Sequence, residues 1–196
     1  MRFCIIYINL AVTLSATSLY WSSPTATPVL LGLSSVSEIN NSGVAVGQVG
    51  GPFGQAAEVS VSSFSVVLLG IPGSSSAQAI NASGQILGTT MSQGVYSAFF
   101  WSQSAGIIPV GNLGGNLSTG FAINSQGQIV GQTSDGSNNP RAFLWSLGSG
   151  ISQIGDTASY IAYDINDNGL IAYGEDPFPF TVVYSAVGGT SSPRLF

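Results

Sequence analysis

Apolar residues along this chain of 196 residues occur in short runs, which glycine, serine and asparagine separate. In the best-defined stretch, between residues 120 and 155, the runs are GFAIN, QIVGQ, RAFLW and GISQIG. Runs of about five residues that are rich in Ile, Val, Phe and Trp are typical of β-strands. The pattern therefore predicts an all-β protein built from many short strands.

One ten-residue segment occurs four times along the chain. The copies read INNSGVAVGQ, INASGQILGT, INSQGQIVGQ and INDNGLIAYG, and they start at Ile39, Ile80, Ile123 and Ile165. In each copy an Asn-x-x-Gly step joins two predicted strands. Asn can bond its own backbone in a turn, and Gly supplies the positive φ that the turn requires. The turn glycines, 41, 43 and 42 residues apart, are Gly43, Gly84, Gly127 and Gly169.

Two further motifs follow each of the better-defined copies. The aromatic motif is SAFFWS at 97–102 and RAFLWS at 141–146, and the short apolar motif is VVLLG, IIPVG or SQIG. Each unit of about 42 residues therefore contains four strands, which indicates one blade of a β-propeller. We expect Trp101 and Trp145 to pack between neighbouring sheets, since buried aromatics dominate such contacts.

Both ends of the chain resemble incomplete units. The segment SLYWSSPTATPVLLG, from Ser18, matches the second half of a unit, with Trp21 in the place of Trp101. Near the other end, FPFTVVYS supplies a degenerate third strand. We therefore expect N-terminal and C-terminal strands to complete one blade together. The result would be a single β-propeller domain of five blades over residues 17–196.

Charge and composition restrict the possible functions. Charged residues make up only 6% of the chain, the formal net charge is −5, and neither Lys nor His occurs. Three arginines cannot neutralise many phosphates, so we expect no nucleic acid partner. Without His, a Ser-His-Asp or Cys-His centre cannot form. We therefore expect a protein without catalytic activity and without a cofactor.

Residues 1–16 have the three-part pattern of a secretory signal peptide. Arg2 provides a short positive region, an apolar stretch runs from Phe3 to Leu14, and the small residues Ser15 and Ala16 follow. The stretch is too short for a transmembrane span, and no other stretch is long enough. The alternative is that it forms a first strand of the folded domain. The pattern predicts an extracellular or cell-surface protein.

The motifs AFLWS, LGG and AINSQGQIVGQ together resemble those of the HAF-type extracellular repeat proteins, which are mostly bacterial secreted or surface proteins. The resemblance covers residues 18–185 and is most specific in the third unit. The His-Ala-Phe step that names the family is changed here, because Ser97 and Arg141 replace His. The first unit departs further, with AAEVSVS in place of an aromatic strand. The resemblance implies a secreted β-propeller-like repeat domain and supplies no catalytic motif.

The segment DINDNGLIAYGE also fits the spacing of a calcium loop, with Asp164, Asn166 and Asn168 at alternate positions and Glu175 at position twelve. The same Ile, Asn and Gly positions recur in the other three copies, however, where the turn explains them. An EF-hand also needs flanking helices, and the flanks here are predicted strands. A calcium-binding β-hairpin and a plain acidic turn both remain open.

Three classes of function remain after these exclusions. The leading interpretation is a monomeric, non-catalytic binding module for a carbohydrate or protein ligand, because the loop surface would be polar and nearly uncharged. A structural module of a surface coat is the second. The third is a glycan hydrolase that uses only carboxylates as its acid and base. Its candidate residues are Asp164, Asp167, Glu175 and Asp176.

Overall fold

The computed structural model describes residues 18–20, 22–23, 25, 29–155, 160–175, 181–185 and 194–195. The predicted signal peptide and Trp21 lie outside these residues. The described part contains one turn of 3-10 helix, Gly51–Phe53, and no α-helix. It therefore contains no helix that could cross a membrane.

The remaining elements are strands, and they follow the sequence repeat. The N-terminal strands are β1 (Leu19–Tyr20) and β2 (Val29–Leu30). The first and second copies contain β3 (Ser35–Ile39), β4 (Val44–Val49), β5 (Gln55–Ser60), β6 (Val66–Leu68), β7 (Ser74–Ile80), β8 (Ile86–Ser92), β9 (Val95–Ser102) and β10 (Gly106–Pro109). The third and fourth contain β11 (Gly114–Ile123), β12 (Ile129–Asp135), β13 (Pro140–Ser146), β14 (Gly150–Gln153), β15 (Tyr160–Ile165), β16 (Leu170–Glu175), β17 (Thr181–Ser185) and β18 (Arg194–Leu195).

Each copy of the repeat forms its own four-stranded antiparallel sheet, in which the strands lie in chain order. The first sheet is β3–β6, the second β7–β10, the third β11–β14 and the fourth β15–β18. β1 and β2 form a separate two-stranded sheet, the N-terminal pair. The predicted all-β class and the predicted four strands per unit are thus confirmed.

The N-terminal pair has the geometry of the third and fourth strands of a unit. The backbone N–H of Leu31 donates to the carbonyl of Ser18 at 3.0 Å. The same bond joins Val110 to Ala98 in the second sheet, also at 3.0 Å. Leu31 and Val110 are both buried. β1 and β2 are therefore equivalent to the third and fourth strands of a unit.

The prediction that N-terminal strands complete the last sheet is wrong. β18 pairs antiparallel with β17, with Leu195 opposite Val182 and Arg194 opposite Val183. The outer edge of β17 is therefore occupied by a strand from its own unit. β1 and β2 pair only with each other among the described strands.

Consecutive sheets pack face to face through apolar cores. Because side chains alternate along a strand, Phe99 faces the first sheet while its neighbour Phe100 faces the third. The Phe100 ring lies 5.3 Å from that of Trp145, and the two are tilted by 35°. Trp145 is buried, whereas Trp101 is partly buried against the core between the first and second sheets. The N-terminal pair packs on the first sheet in the same way, through Tyr20.

The four Asn-x-x-Gly turns share one hydrogen-bond pattern. In the second copy, Asn81 Oδ1 accepts the backbone N–H groups of Ser83 and Gln85, both at 3.0 Å. All four turn glycines have positive φ, between 73° and 76°: Gly43, Gly84, Gly127 and Gly169. Only glycine adopts this conformation without steric cost, which explains its recurrence.

The turn asparagines also connect the sheets to one another. The Nδ2 group of Asn40 donates to the carbonyl of Asn81 at 3.1 Å. Asn81 repeats this bond to Asn124 at 2.8 Å, and Asn124 repeats it to Asn166 at 3.2 Å. The first three members of this asparagine ladder are buried. The ladder therefore binds four equivalent turns into one continuous edge.

A second glycine of the first three units lies where the first two strands approach closely, whereas Tyr173 occupies the equivalent position of the fourth. Gly88 pairs with Ala77, and a Cβ atom at Gly88 would overlap the carbonyl of Ser76 and the ring of Phe99. Here glycine is required for space, since its φ is not positive. The equivalent glycines, with the same close approach to the preceding strand, are Gly47 and Gly131.

Candidate functional site

Each first strand contains a β-bulge two residues before its Ile-Asn step. The pairing register shifts at this point in all four sheets. A bulge leaves one residue unpaired and re-aims its side chain. The four bulge residues, which all line one cavity of about 340 Å³, are Ser37, Gln78, Phe121 and Tyr163.

This cavity, the four-sheet cavity, is built by the first strands of all four sheets. Besides the bulge residues, its walls contain Glu38, Ala79, Ala122, Ile123 and Asp164. The Phe121 and Tyr163 rings stack with centroids 6.4 Å apart and an interplanar angle of 27°. The two side chains remain 44% and 51% exposed. The cavity therefore combines an open aromatic surface with two carboxylates.

The two carboxylates of the four-sheet cavity, Glu38 and Asp164, interact electrostatically. Burial raises the pKa of Glu38 above its ordinary value of 4.5, and the charge of Asp164 raises it further. The backbone N–H of Ile80, which donates to Glu38 Oε2 at 2.8 Å, opposes this shift without cancelling it. Glu38 lies in the first sheet and Asp164 in the fourth, and both line the four-sheet cavity.

A second cavity, the polar cavity, has a volume of about 420 Å³ and contains no charged residue in its wall. Hydroxyl and amide groups dominate the wall, and Tyr96 adds an aromatic ring that is 48% exposed. Thr89 Oγ1 donates to Gln78 Oε1 at 2.8 Å, and Gln78 lines both cavities. The other lining residues are Gln48, Ser74, Ser75, Ser76, Thr90, Met91 and Thr119.

The candidate calcium ligands occupy different parts of one hairpin. Asn166 Oδ1 accepts the backbone N–H groups of Asn168 and Leu170, both at 3.0 Å, as in the other copies. Glu175 stands at the far end of β16, where it pairs with Tyr160. Five extended residues span roughly 17 Å. The backbone therefore holds Glu175 away from Asn166 and Asn168 at the turn, while Asp164 lies between them opposite Ala172, and the turn accounts for Asn166.

The carboxylates that the sequence suggested for glycan hydrolysis also have different surroundings in the structure. Asp164 lines the four-sheet cavity with Glu38, whereas Asp167 accepts the backbone N–H of Ser125 at 2.8 Å. This bond lowers the pKa of Asp167 and ties the fourth sheet to the third. Asp176 lies outside the described residues. The structure thus places Asp164 in the same cavity as Glu38, a carboxylate that the sequence did not single out.

Arg141 forms an ion pair within its own hairpin. Its Nη2 and Nε atoms lie 2.8 and 3.0 Å from Asp135 Oδ2. Asp135 also accepts the backbone N–H groups of Asn139 and Ser137. The bond from Asn139 contributes most to the low pKa of Asp135, about 2. Arg141 therefore stabilises the turn of its own hairpin.

Sequence reasoning missed the bulge residues, although the repeat contains a signal for them. The four copies read SEIN, QAIN, FAIN and YDIN, so the position two residues before Ile varies while Ile and Asn do not. A variable position inside a repeated structural motif is a natural place for ligand contacts. At this position the third and fourth copies have aromatic residues, Phe121 and Tyr163.

Comparison of the chain with protein-family models and with curated protein sequences gives no match.

Proposed function

We propose that the four sheets and the N-terminal pair are arranged as blades around one axis, in a β-propeller-like fold. Three observations support this arrangement. Apolar cores join each sheet to the next, the first strands of all four sheets line one cavity, and Glu38 in the first sheet is coupled to Asp164 in the fourth. The N-terminal pair would then supply the outer half of a fifth blade.

This protein acts, in our proposal, as a non-catalytic carbohydrate-binding module of the HAF type that is secreted or held at the cell surface. The polar cavity is the observation that carries this function. Sugars present neutral hydroxyl groups and apolar ring faces, which hydroxyl and amide side chains and an exposed aromatic ring recognise. A cavity of about 420 Å³ also falls within the range of small-ligand sites.

A glycan array, followed by calorimetric titration of the best oligosaccharide, tests the carbohydrate function. We expect Tyr96→Ala to weaken binding about tenfold, or ~1.4 kcal/mol, since stacking against the ring is lost. Ser76→Ala should weaken it severalfold. Phe53→Ala is the matched control, because Phe53 is 78% exposed and lies outside the polar cavity. Failure of every glycan to bind, or equal effects of Tyr96→Ala and Phe53→Ala, would reject the proposal.

The competing functions give different results with the same purified protein. A surface-coat module should assemble, whereas we expect light scattering to show a monomer. A hydrolase should release chromophore from a panel of glycosides, whereas we expect no release. Turnover that disappears in Glu38→Gln and Asp164→Asn would favour the hydrolase. N-terminal sequencing of secreted protein should place the mature start close to residue 17.

A further inference from the structure

The aromatic pair in the four-sheet cavity differs from the aromatics in the cores between the sheets. Phe99, Phe100 and Trp145 are at most 3% exposed, whereas Phe121 and Tyr163 leave roughly half of their surface open. β-Bulges aim both of these side chains into the same cavity. Two rings that stack on each other while facing an open space form a ready surface for a ligand.

The same cavity carries negative charge that no described cation compensates. Glu38 and Asp164 line it, and neither has a basic residue among its neighbours in the cavity wall. The side chain of Arg141, the only cationic side chain that the structure describes, bonds Asp135 in the third sheet. A cation that entered the cavity would gain from both carboxylates at once.

The chemistry of the wall favours an organic cation over a metal ion. Calcium takes six to eight oxygen ligands, and within the described residues no group of three acidic, histidine or cysteine side chains could hold a metal. Glu38 Oε2 and Gln78 Oε1 are moreover engaged by Ile80 and Thr89. Aromatic faces do not ligate hard metals, but their quadrupole attracts ammonium groups. We propose that the four-sheet cavity binds a small organic ammonium ion.

Choline and its neutral isostere 3,3-dimethylbutan-1-ol test this proposal on the full chain. The two probes have the same shape and differ only in charge. We expect calorimetry or NMR titration to show choline binding at least tenfold tighter than the alcohol. The double variant Glu38→Gln, Asp164→Asn should reduce choline affinity about tenfold or more, and Phe121→Ala should reduce it severalfold.

Asp167→Asn is the matched control, because it removes one negative charge outside the cavity wall. It should change choline affinity less than twofold. Equal binding of the two probes, or an equal loss in Asp167→Asn, would overturn the proposal. Calcium chloride that displaces choline at equal concentration would assign the site to a metal instead. Tyr96→Ala should leave choline binding unchanged, which separates this site from the polar cavity.

Discussion

The side-chain amide of Asn81 donates a 2.8 Å hydrogen bond to the backbone carbonyl of Asn124, the equivalent residue of the next sheet. The donor therefore caps its own turn through Oδ1 and holds the neighbouring turn through Nδ2. One residue type thus explains both the shape of a unit and its attachment to the next. This double use accounts for the recurrence of asparagine at this position.

Substitution of Asn81 by Asp should separate the two uses. Asp retains the oxygen that caps the turn but replaces the donor with a second oxygen, which would face the Asn124 carbonyl. Because the site is buried, we expect a loss of about 2–4 kcal/mol in the free energy of unfolding at pH 7. Denaturant unfolding measures this change.

Asn166→Asp is the matched control for the asparagine ladder. Asn166 caps its turn in the same way but is exposed, and its amide bonds no further sheet within the described residues. We expect a cost below about 1 kcal/mol. Equal losses in the two variants would show that the ladder does not stabilise the sheet junctions.

Gly88→Ala should cost more than Gly84→Ala. A methyl group at Gly88 would collide with backbone of the preceding strand and with Phe99, so we expect a loss of about 2–4 kcal/mol. At Gly84 a Cβ meets nothing within 4 Å, and only the strain of its positive φ remains, about 1 kcal/mol. Thermal and denaturant unfolding of both variants would check the order. The reverse order would contradict the close approach of the strands.

Trp145→Ala should destabilise the junction between the second and third sheets. The side chain is buried against Phe100, and its removal leaves a large cavity, so we expect a loss of about 3–5 kcal/mol. Phe53→Ala, an exposed aromatic control, should change stability by less than about 0.5 kcal/mol. A loss below about 1 kcal/mol for Trp145→Ala would mean that this junction is not a packed core.

The pH dependence of stability should change in Glu38→Gln. The pKa of Glu38 is raised in the folded state, so its favourable contribution is complete below the ordinary value of 4.5 and is lost as the pH rises through the folded value. Gln removes the buried charge and can still accept the N–H of Ile80. We therefore expect Glu38→Gln to be more stable than the wild type at pH 7, with the difference vanishing as the pH falls below 4.5.

Asp167→Asn should change the stability at pH 7 in the opposite direction. The pKa of Asp167 is lowered in the folded state, so its contribution is present above the ordinary value of 3.8 and is lost as the pH falls through the folded value. We expect this variant to be less stable than the wild type at pH 7, with the difference shrinking as the pH falls below 3.8. If the stabilities of the two variants relative to the wild type changed with pH in the same direction, the environments assigned to Glu38 and Asp167 would be contradicted. Urea unfolding across this pH range provides the measurement.

The sequence predicted those features that the backbone of a single unit requires. Residues equivalent to Asn81 and Gly84 occur in every copy because one turn geometry requires an asparagine and a glycine at these positions. The spacing of these residues gives the repeat length of about 42 residues. The four-sheet cavity was not predictable, because Glu38 and Asp164 belong to the first and last sheets and a bulge aims Phe121 inward. β18 was missed as well, since the residues around Arg194 form no apolar run. The four-sheet cavity depends on contacts between distant units, whereas β18 pairs within the fourth unit itself.

Distances between equivalent turns test the arrangement of the sheets around one axis most directly. Ser42, Gln126 and Asn168 occupy the same exposed position in the first, third and fourth units. Cysteines placed there in a Cys4→Ser background can carry spin labels in pairs for electron-electron resonance. We predict that the distance between the first and fourth turns is no longer than that between the first and third. A first-to-fourth distance about one and a half times the first-to-third distance, as in a linear stack, would contradict the account.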